Sequence, residues 1–309
     1  MIIFVTGGCG FIGSNFLNYM VTKYPEHLFL NIDALFDCAS IEKIFVRKCK
    51  NYEFVKCNIT NKDMMEHLFS KYKPDIIFHF AAFSHVDGSF EVPIEYLENN
   101  VKGTLVLLET IRKLKLETDF FHISTDEVYG ESEDIARDEG SLLLPTNPYA
   151  ATKASAEMML YSYGKSFKQR YYVCRCNNVY GPGQYHEKLI PKFITWLRKG
   201  RECPIHGAGD AKRSFIHVLD VAHAIEVIWL KGSKGIIYNI GSEDEYSVME
   251  IAQKLVMLIK GKDENVLNHI EYVEDRSYND KRYLIDYERL KKLGWKQRIS
   301  FDEGLKDLV

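Results

Sequence analysis

The chain has 309 residues, which is long enough for one large α/β domain or for a large domain that carries a smaller one. Hydrophobic residues make up 46% of the chain and charged residues 27%, a composition that excludes an intrinsically disordered protein. The formal net charge of −3 at pH 7 provides no bulk basic surface, so nucleic acid is not an expected partner. No apolar run reaches the roughly 18 to 20 residues needed to span a bilayer, so we expect no membrane association.

Two features of the sequence predict a cytoplasmic location. The first residues, MIIFVTGG, have the pattern of a buried strand and lack the basic leader of a signal peptide. The seven cysteines are an odd number and are scattered without the paired Cys-x-x-Cys motifs of a zinc site. This pattern indicates reduced thiols, and it predicts no bound metal.

The first half of the chain alternates strand-like apolar runs with helical patterns. The predicted strands are Ile2–Val5, Phe29–Ile32, Tyr52–Cys57, Ile76–Phe80, Phe120–Ser124 and Tyr171–Arg175. The predicted helices between them are Ile12–Lys23, Asp63–Lys73, Val101–Leu116 and Tyr149–Phe167, the last of which starts after Asn147-Pro148. When a helix follows each strand, consecutive strands lie parallel to each other in the sheet. The pattern therefore predicts an α/β fold with a doubly wound parallel sheet.

After about residue 175 the alternation becomes irregular, and glycine and proline become denser. One further apolar run, Ile236–Ile240, has the composition of a buried strand and is expected to rejoin the main sheet. We therefore predict a first domain over residues 1–175 together with 236–240. Residues 176–309 are predicted to form mainly a smaller, interleaved lobe that binds the substrate.

A glycine-rich turn follows the first predicted strand. Gly7, Gly10 and Gly13 stand where side chains would prevent a pyrophosphate from approaching the backbone at a helix N-terminus. Asp33 lies 20 residues beyond Gly13, at the end of the second strand, where a carboxylate binds ribose hydroxyls and repels a 2′-phosphate. No arginine follows within Ala34–Cys38. The turn therefore predicts a Rossmann-type domain that binds NAD in preference to NADP.

Tyr149 and Lys153 are four residues apart on one predicted helix, so their side chains share a face. A nearby ammonium group favours the phenolate and lowers the tyrosine pKa, which would let Tyr149 accept a hydroxyl proton. A surface helix with no chemistry is the alternative for this pair alone. Thr125, Asp126 and Glu127 follow the fifth predicted strand, and the two carboxyl groups offer an acid and a base. A solvated turn is the alternative for that segment.

Taken together, these motifs resemble the extended short-chain dehydrogenase/reductase superfamily and, within it, the nucleotide-sugar 4,6-dehydratases. The segment Ala81-Ala82-Phe83-Ser84-His85-Val86-Asp87 resembles the Ala-Ala-x-x-His-Val-Asp segment of those dehydratases. Further similar segments are Asn177–Pro182, Glu187–Phe193, Pro204–Gly207 with Arg213, and Asp275–Tyr283. The resemblance covers nearly the whole chain and implies a dTDP-glucose or UDP-glucose substrate, an NAD cofactor and a homodimer.

The resemblance also implies a set of site residues. The implied catalytic residues are Thr125, Asp126, Glu127, Tyr149 and Lys153. The implied cofactor residues are Gly7, Gly10, Phe11, Ile12, Gly13, Asp33, Asn58, Ile59, Phe80, Ala81, Ala82, Ser84, Asn99, Tyr149, Lys153 and Val179. The implied substrate residues are Ser84, Thr125, Asn178, Lys188, Leu189, Lys192, Pro204, Ile205, His206, Arg213, Asn239, Arg276 and Asn279.

By this resemblance, Tyr149 takes the proton of the glucose 4-hydroxyl, Glu127 takes the C5 proton and Asp126 protonates the departing 6-hydroxyl. The chain departs from the family pattern at Phe83, where relatives carry Glu or Gln, and at Gly88, where Arg is frequent. Asp275-Arg276 also lacks the Pro-Gly-His that often follows it. These departures leave the choice between thymine and uracil open. A 4-epimerase or decarboxylase on the same scaffold, or an NAD-binding module without catalysis, are the competing functions.

Overall fold

The computed structural model describes residues 1–132, 134–274 and 280–309. Within these ranges the strands are β1 (Ile2–Thr6), β2 (Leu28–Asp33), β3 (Tyr52–Lys56), β4 (Ile76–His79), β5 (Asp119–Thr125), β6 (Tyr171–Cys176), β7 (Asn178–Tyr180), β8 (Cys203–His206), β9 (Lys212–His217), β10 (Ile236–Ile240), β11 (Glu245–Ser247) and β12 (Ile270–Val273). The helices are α1 (Phe11–Lys23), α2 (Lys62–Tyr72), α3 (Val86–Glu91), α4 (Pro93–Tyr96), α5 (Gly103–Lys113), α6 (Pro148–Phe167), α7 (Leu189–Arg198), α8 (Val218–Lys231), α9 (Val248–Ile259), α10 (Glu288–Lys292) and α11 (Phe301–Leu308).

The main sheet has seven parallel strands in the order β10-β6-β5-β4-β1-β2-β3. The order reverses between β1 and β4, which is the switch point of a doubly wound sheet and the usual place for a ligand. The predicted α/β fold class is confirmed. The six strands predicted in the first half all lie in this sheet, and Ile236–Ile240 does rejoin it, as the edge strand beside β6.

Both faces of the sheet are covered by helices. Adjacent residues of β5 point to opposite faces, so Phe121 packs in the cluster that contains Phe16 of α1 and Ile225 of α8, whereas Phe120 packs in the cluster that contains Leu107 of α5. Each fully buried side chain of this kind contributes about 1.5 to 3 kcal/mol. Since α8 follows residue 175, part of the second half of the chain covers the large sheet.

The segment before α5 differs from the predicted helix Val101–Leu116. The structure has π-helical turns over Leu97–Lys102, followed by α5, which ends at Lys113. Asn100 in the π-helical turns accepts a hydrogen bond from the backbone N–H of Phe83 at 2.8 Å and donates one to its carbonyl at 3.0 Å. The wider turn thus holds the loop that follows β4, which lies beside the ligand cleft.

The smaller lobe is built on two short sheets, β11-β9-β7 and β12-β8, with α7, α9 and α11 around a third apolar cluster. It faces the carboxyl ends of the main strands, and the cleft described below is lined by residues of both parts. In the described part of the chain, each helix is too short or too polar to cross a bilayer.

Candidate active site

A cleft of about 1080 Å³ opens at the carboxyl ends of the main strands. The loops after β1, β2, β4 and β5 form one side, and residues of the smaller lobe form the other. Every predicted cofactor residue and every predicted catalytic residue lines this cleft. The topology therefore brings together segments that are more than a hundred residues apart in the chain.

The glycine-rich turn at one end of the cleft has no room for side chains. A Cβ atom on Gly7 would lie 2.5 Å from the backbone nitrogen of Ala81, and Gly7 has a φ of 71°. A Cβ atom on Gly13 would lie 2.4 Å from the carbonyl oxygen of Gly7. The turn leads directly into α1, whose N-cap is Gly10, so helix N–H groups are exposed to a ligand at this end. This cradle fits the pyrophosphate of NAD.

Asp33 lies at the end of β2, beside the glycine-rich turn. Its Oδ2 accepts a hydrogen bond from the backbone N–H of Cys9, and its Oδ1 accepts one from Leu35, both at 2.8 Å. Burial raises the pKa of Asp33, while the two backbone donors oppose that rise. A carboxylate has further lone pairs, so Asp33 is able to hold the turn and still accept hydrogen bonds from ribose hydroxyls. The residues present therefore fit NAD.

Tyr149 and Lys153 lie on one buried face of α6. Lys153 Nζ donates a hydrogen bond to the carbonyl of Ile123 at 2.6 Å, and burial lowers the pKa of Lys153 to about 8. Burial and, after it, the charge of Glu127 raise the pKa of Tyr149 well above its ordinary value. In the polypeptide by itself, burial therefore outweighs any lowering of the Tyr149 pKa by Lys153.

Asp126 stands at the start of a short 3₁₀ turn, Asp126–Tyr129, directly after β5. Its Oδ2 accepts a hydrogen bond from Asn177 at 2.7 Å, and its Oδ1 accepts one from Thr125 at 3.1 Å. The side chain is buried, and burial raises the pKa of Asp126 to about 7. Near neutral pH a large fraction of this carboxyl group therefore carries a proton. The alternative of a solvated turn is excluded.

Glu127 is the second carboxyl group of the turn and points toward α6. Its Oε2 accepts a hydrogen bond from the side-chain amide of Asn147 at 2.9 Å. Burial raises the pKa of Glu127, and the positive charges of Lys188 and Arg213 act against that rise. The site thus places two carboxyl groups with different partners next to a tyrosine–lysine pair. Such an arrangement is able to combine oxidation with proton removal and proton delivery.

The predicted substrate residues are divided by the structure. Those that line the cleft are Ser84, Thr125, Asn178, Lys188, Leu189, Pro204, His206 and Arg213. Lys188 Nζ donates to the carbonyl of Ser84 at 3.2 Å, and the Arg213 guanidinium lies over the ring of Tyr283. These contacts hold two cationic side chains in the cleft. Two further predicted residues, Arg276 and Asn279, lie outside the described residues.

Three predicted substrate residues do not line the cleft. Asn239 is fully buried in β10, where its amide donates to the carbonyls of Arg137 and Asp286 and its Oδ1 accepts from the hydroxyl of Tyr129. Ile205 is buried in the apolar cluster of the smaller lobe. Lys192 extends along α7, with its Nζ 5.0 Å from the centroid of the Trp196 ring. These three side chains have structural partners outside the cleft, and their assignment to the substrate stays a prediction.

Two amides that bond the carboxyl groups, Asn147 and Asn177, are not among the predicted site residues. The sequence predicts Asn147 only as a helix start, and Asn177 only as part of the segment Asn177–Pro182, in which Asn178 is the implied substrate residue. Both line the cleft. No spacing rule connects either residue to the Asp-Glu pair, since 20 and 51 residues separate the bonded partners. Hydrogen-bond partners at such separations emerge only in the folded chain.

The two unusual positions near the substrate also line the cleft. The ring of Phe83 contacts the rings of Phe36 and Tyr96, with centroid distances of 5.1 and 5.4 Å. A Cβ atom on Gly88 would lie 2.9 Å from the Tyr96 hydroxyl oxygen, which itself donates to the carbonyl of His85. A larger side chain at position 88 therefore requires Tyr96 to move. At position 83, aromatic contacts therefore stand where the family pattern has a Glu or Gln side chain.

Comparison with known proteins agrees with this geometry. The family model described as GDP-mannose 4,6 dehydratase matches residues 4–308. A trifunctional UDP-glucose 4,6-dehydratase/3,5-epimerase/reductase of Arabidopsis thaliana is 43% identical over 308 residues, which cover 98% of this chain but 46% of that protein, so the chain spans about half of this relative. A dTDP-D-glucose 4,6-dehydratase of Mus musculus is 42% identical over 310 residues, covering 99% of this chain and 87% of that protein.

Among solved structures, a dTDP-glucose 4,6-dehydratase of Streptomyces venezuelae with NAD and TYD bound superimposes with a TM-score of 0.94. It is 32% identical, and the match covers 99% of this chain and 95% of that one. The chain therefore belongs to the family of nucleotide-sugar 4,6-dehydratases within the extended short-chain dehydrogenase/reductase superfamily.

Proposed function

We propose that the protein is a nucleoside diphosphate-glucose 4,6-dehydratase, which converts dTDP-glucose or UDP-glucose to the 4-keto-6-deoxy-glucose nucleotide and water. The observation that carries the proposal is the carboxyl pair of the buried Asp126 and the half-buried Glu127, which lines the same cleft as Tyr149 and Lys153. Bound NAD supplies a two-electron acceptor for the C4 carbinol, the donor that later reduces C6, and a positive ring charge. The redox change is internal, so the net reaction is the loss of one water.

The first proton is handled on α6. The 4-hydroxyl proton passes to the Tyr149 oxygen, and Thr125 holds the C4 oxygen while the carbonyl forms. Because burial raises the pKa of Tyr149, its phenolate requires a nearby cation, and Lys153 lies one turn away on the same face. The carbonyl at C4 then acidifies the hydrogen on C5.

The second and third protons are handled on the 3₁₀ turn after β5. Glu127 takes the C5 proton, and Asp126 gives its proton to the 6-hydroxyl, which leaves as water. The pKa of about 7 keeps Asp126 partly protonated at neutral pH, as a general acid requires. When C6 is reduced, Glu127 returns a proton to C5. Tyr149 releases the 4-hydroxyl proton to solvent, and Asp126 takes a proton from solvent, so that both groups return to their starting states. Lys188 and Arg213, which also line the cleft, balance the charge of the diphosphate.

The carboxyl pair separates this proposal from its rivals. A 4-epimerase oxidises and reduces at C4 and needs neither removal of the C5 proton nor expulsion of water. A binding module without catalysis has no need for a complete, buried tyrosine–lysine pair. A single experiment distinguishes them: the purified protein is incubated with dTDP-glucose and UDP-glucose in parallel, and the products are analysed by mass and by the absorbance of the 4-keto sugar.

The double variant Asp126→Asn, Glu127→Gln refines that experiment. General acid–base groups contribute about 10² to 10⁴-fold each, so turnover to the 4-keto-6-deoxy sugar should nearly cease. The oxidation at C4 should survive, and enzyme-bound NADH should appear on mixing with substrate. Solvent deuterium should enter C5 with the wild-type protein and not with the variant. Dehydration at a rate close to that of the wild type would refute the assigned roles.

We also propose that the protein is a homodimer that acts in the cytoplasm. The outer face of α6 carries exposed apolar side chains, among them Met158, Tyr161 and Phe167, each about half exposed. An apolar face of this kind is typical of helix–helix association. The seven cysteines, which all lie in the described ranges, are free thiols, and this supports a reducing compartment. Sedimentation analysis of wild-type protein and of Met158→Glu tests the dimer.

A further inference from the structure

Asn147 connects the start of α6, which carries Tyr149, to the turn after β5, which carries Glu127. It is the N-cap of α6, with φ −136° and ψ 159°, and its Oδ1 accepts a hydrogen bond from the backbone N–H of Ala150 at 2.8 Å. The other end of the same amide, Nδ2, donates to Oε2 of Glu127 at 2.9 Å. The side chain is 7% exposed and lines the cleft. One planar group thus bonds the helix that carries Tyr149 and the turn that carries Glu127.

Only one orientation of the Asn147 amide makes both hydrogen bonds. Oδ1 accepts from the helix, and Nδ2 donates to the carboxylate, so a flip of the amide would break both bonds. A cap needs only an acceptor, and Ser, Asp and Asn are about equally good at it. The donor toward Glu127 is therefore the property that asparagine adds at this position.

Glu127 is held among several charged or titratable groups. Asp126, Asp280, Tyr149 and Tyr283 interact with it electrostatically, and Lys188 and Arg213 contribute opposing positive charge. In contrast to these charged and titratable groups, the amide of Asn147 bonds the Glu127 side chain directly, by a hydrogen bond of 2.9 Å. The bond favours the ionised carboxylate and fixes its direction relative to Tyr149, two residues beyond Asn147 in the chain.

We propose that Asn147 is a positioning residue for the elimination half of the reaction: its amide donates to the Glu127 carboxylate and fixes the position of that carboxylate relative to the Tyr149 end of α6. The proposal rests on the proposed function, because it concerns the base that removes the C5 proton. Asn147 has no role in the oxidation at C4 beyond starting the helix. The two duties of the residue are therefore separable by substitution.

Two variants separate them. Asn147→Ser keeps a cap for α6, and its short side chain cannot reach Glu127 while it caps. Asn147→Asp also keeps the cap and places a carboxylate where the donor was. The matched control is Asn61→Ser, because Asn61 caps α2 by the same bond, from Met64 N–H at 3.1 Å, and does not line the cleft.

The expected results are graded. Loss of a hydrogen bond to a charged group corresponds to a roughly ten- to hundredfold slower step. Asn147→Ser should therefore slow deuterium entry at C5 and formation of the 4-keto-6-deoxy sugar by that factor. The rate at which NADH first appears in a stopped-flow experiment should remain within about twofold, so NADH should accumulate transiently. The melting temperature should change no more than in Asn61→Ser.

The pH profile provides a readout that a purely structural cap would not change. Removal of a donor to the ionised form raises the pKa of Glu127, so the acidic limb of the turnover profile should move to higher pH in Asn147→Ser. It should move further in Asn147→Asp, because a second negative charge faces the base. Asn61→Ser should retain the wild-type profile.

Three outcomes would overturn the proposal. These are a wild-type C5 exchange rate in Asn147→Ser, equal slowing of oxidation and exchange together with a lower melting temperature, or an acidic limb that is the same in all variants. Failure of the proposed function is a different result, because the wild-type protein would then form no 4-keto-6-deoxy sugar from either nucleotide-glucose.

Discussion

The buried carboxyl group of Asp126 should destabilise the fold as the pH rises. Its pKa is about 7 in the folded protein against 3.8 for an unperturbed aspartate. Between these two values the unfolded chain has lost the proton while the folded chain still holds it. The folded state therefore binds more protons, and the free energy of unfolding falls with increasing pH across this window. Asp126→Asn removes the titration and should abolish this contribution.

The magnitude follows from the pKa difference. One pKa unit corresponds to about 1.36 kcal/mol, so the full shift amounts to about 4 kcal/mol and is present above pH 8. At pH 5 the unfolded carboxyl group is ionised while the folded one is not, so about 2 kcal/mol of this cost is already present. Asp126→Asn should therefore gain about 2 to 3 kcal/mol relative to the wild type between pH 5 and pH 8. Asparagine keeps the bond from Asn177 and is able to donate to the Thr125 hydroxyl.

The assay is urea unfolding of the wild type and of Asp126→Asn at pH 5, 6, 7 and 8, without added nucleotide. Asp63→Asn is the control, because Asp63 is an exposed aspartate in the first turn of α2 and pays no burial cost. Relief of Glu127 from the charge of its neighbour acts in the same direction as the predicted change. A stability difference between wild type and Asp126→Asn that is constant over the pH series would show that burial does not raise the pKa of Asp126 in the folded protein.

Three further predictions concern the cofactor turn and the helix behind it. Asp33→Ala removes a charged acceptor and its two hydrogen bonds to the backbone of the turn, so the NAD affinity measured by calorimetry should fall roughly tenfold or more. An unchanged affinity would mean that the carboxylate does not face the ribose. Gly13→Ala drives a Cβ atom against the Gly7 carbonyl, and the loss of about 1 to 3 kcal/mol in urea unfolding should accompany weaker NAD binding. Glu157→Ala removes the carboxylate that lies 2.6 Å from the buried Arg175 guanidinium, so the free energy of unfolding should fall by about 3 to 5 kcal/mol. A loss below about 1 kcal/mol would show that water reaches the guanidinium.

The parallel sheet could be predicted because its strands are coded locally. Each predicted strand of the first half is a short apolar run followed by a helical pattern, and a buried parallel strand needs no partner-specific signal. The glycine-rich turn and Asp33 could also be predicted, because their spacing follows from the geometry of one strand–helix–strand unit. Those predictions required no knowledge of distant contacts.

Other parts of the site depend on distant contacts and could not be predicted. Asn239 matches a family position, yet its amide is consumed by the carbonyls of Arg137 and Asp286. The pKa of Tyr149 depends on burial by the whole cleft, which a helical spacing of four residues does not reveal. The π-helical turns over Leu97–Lys102 likewise have no signature in apolar periodicity, because the wider turn serves the contact of Asn100 with Phe83.

The edge strand β10 has a consequence for how the chain folds during synthesis. It pairs with β6 from Ile236↔Tyr172 to Ile240↔Cys176, so about sixty residues are translated between the two partners. Until residue 240 has left the ribosome, β6 presents a row of unpaired peptide groups beside completed neighbours, which is a surface that recruits other nascent chains. We expect arrest peptides placed before and after residue 240 to report low and high pulling forces, and chaperone dependence to end at the same length.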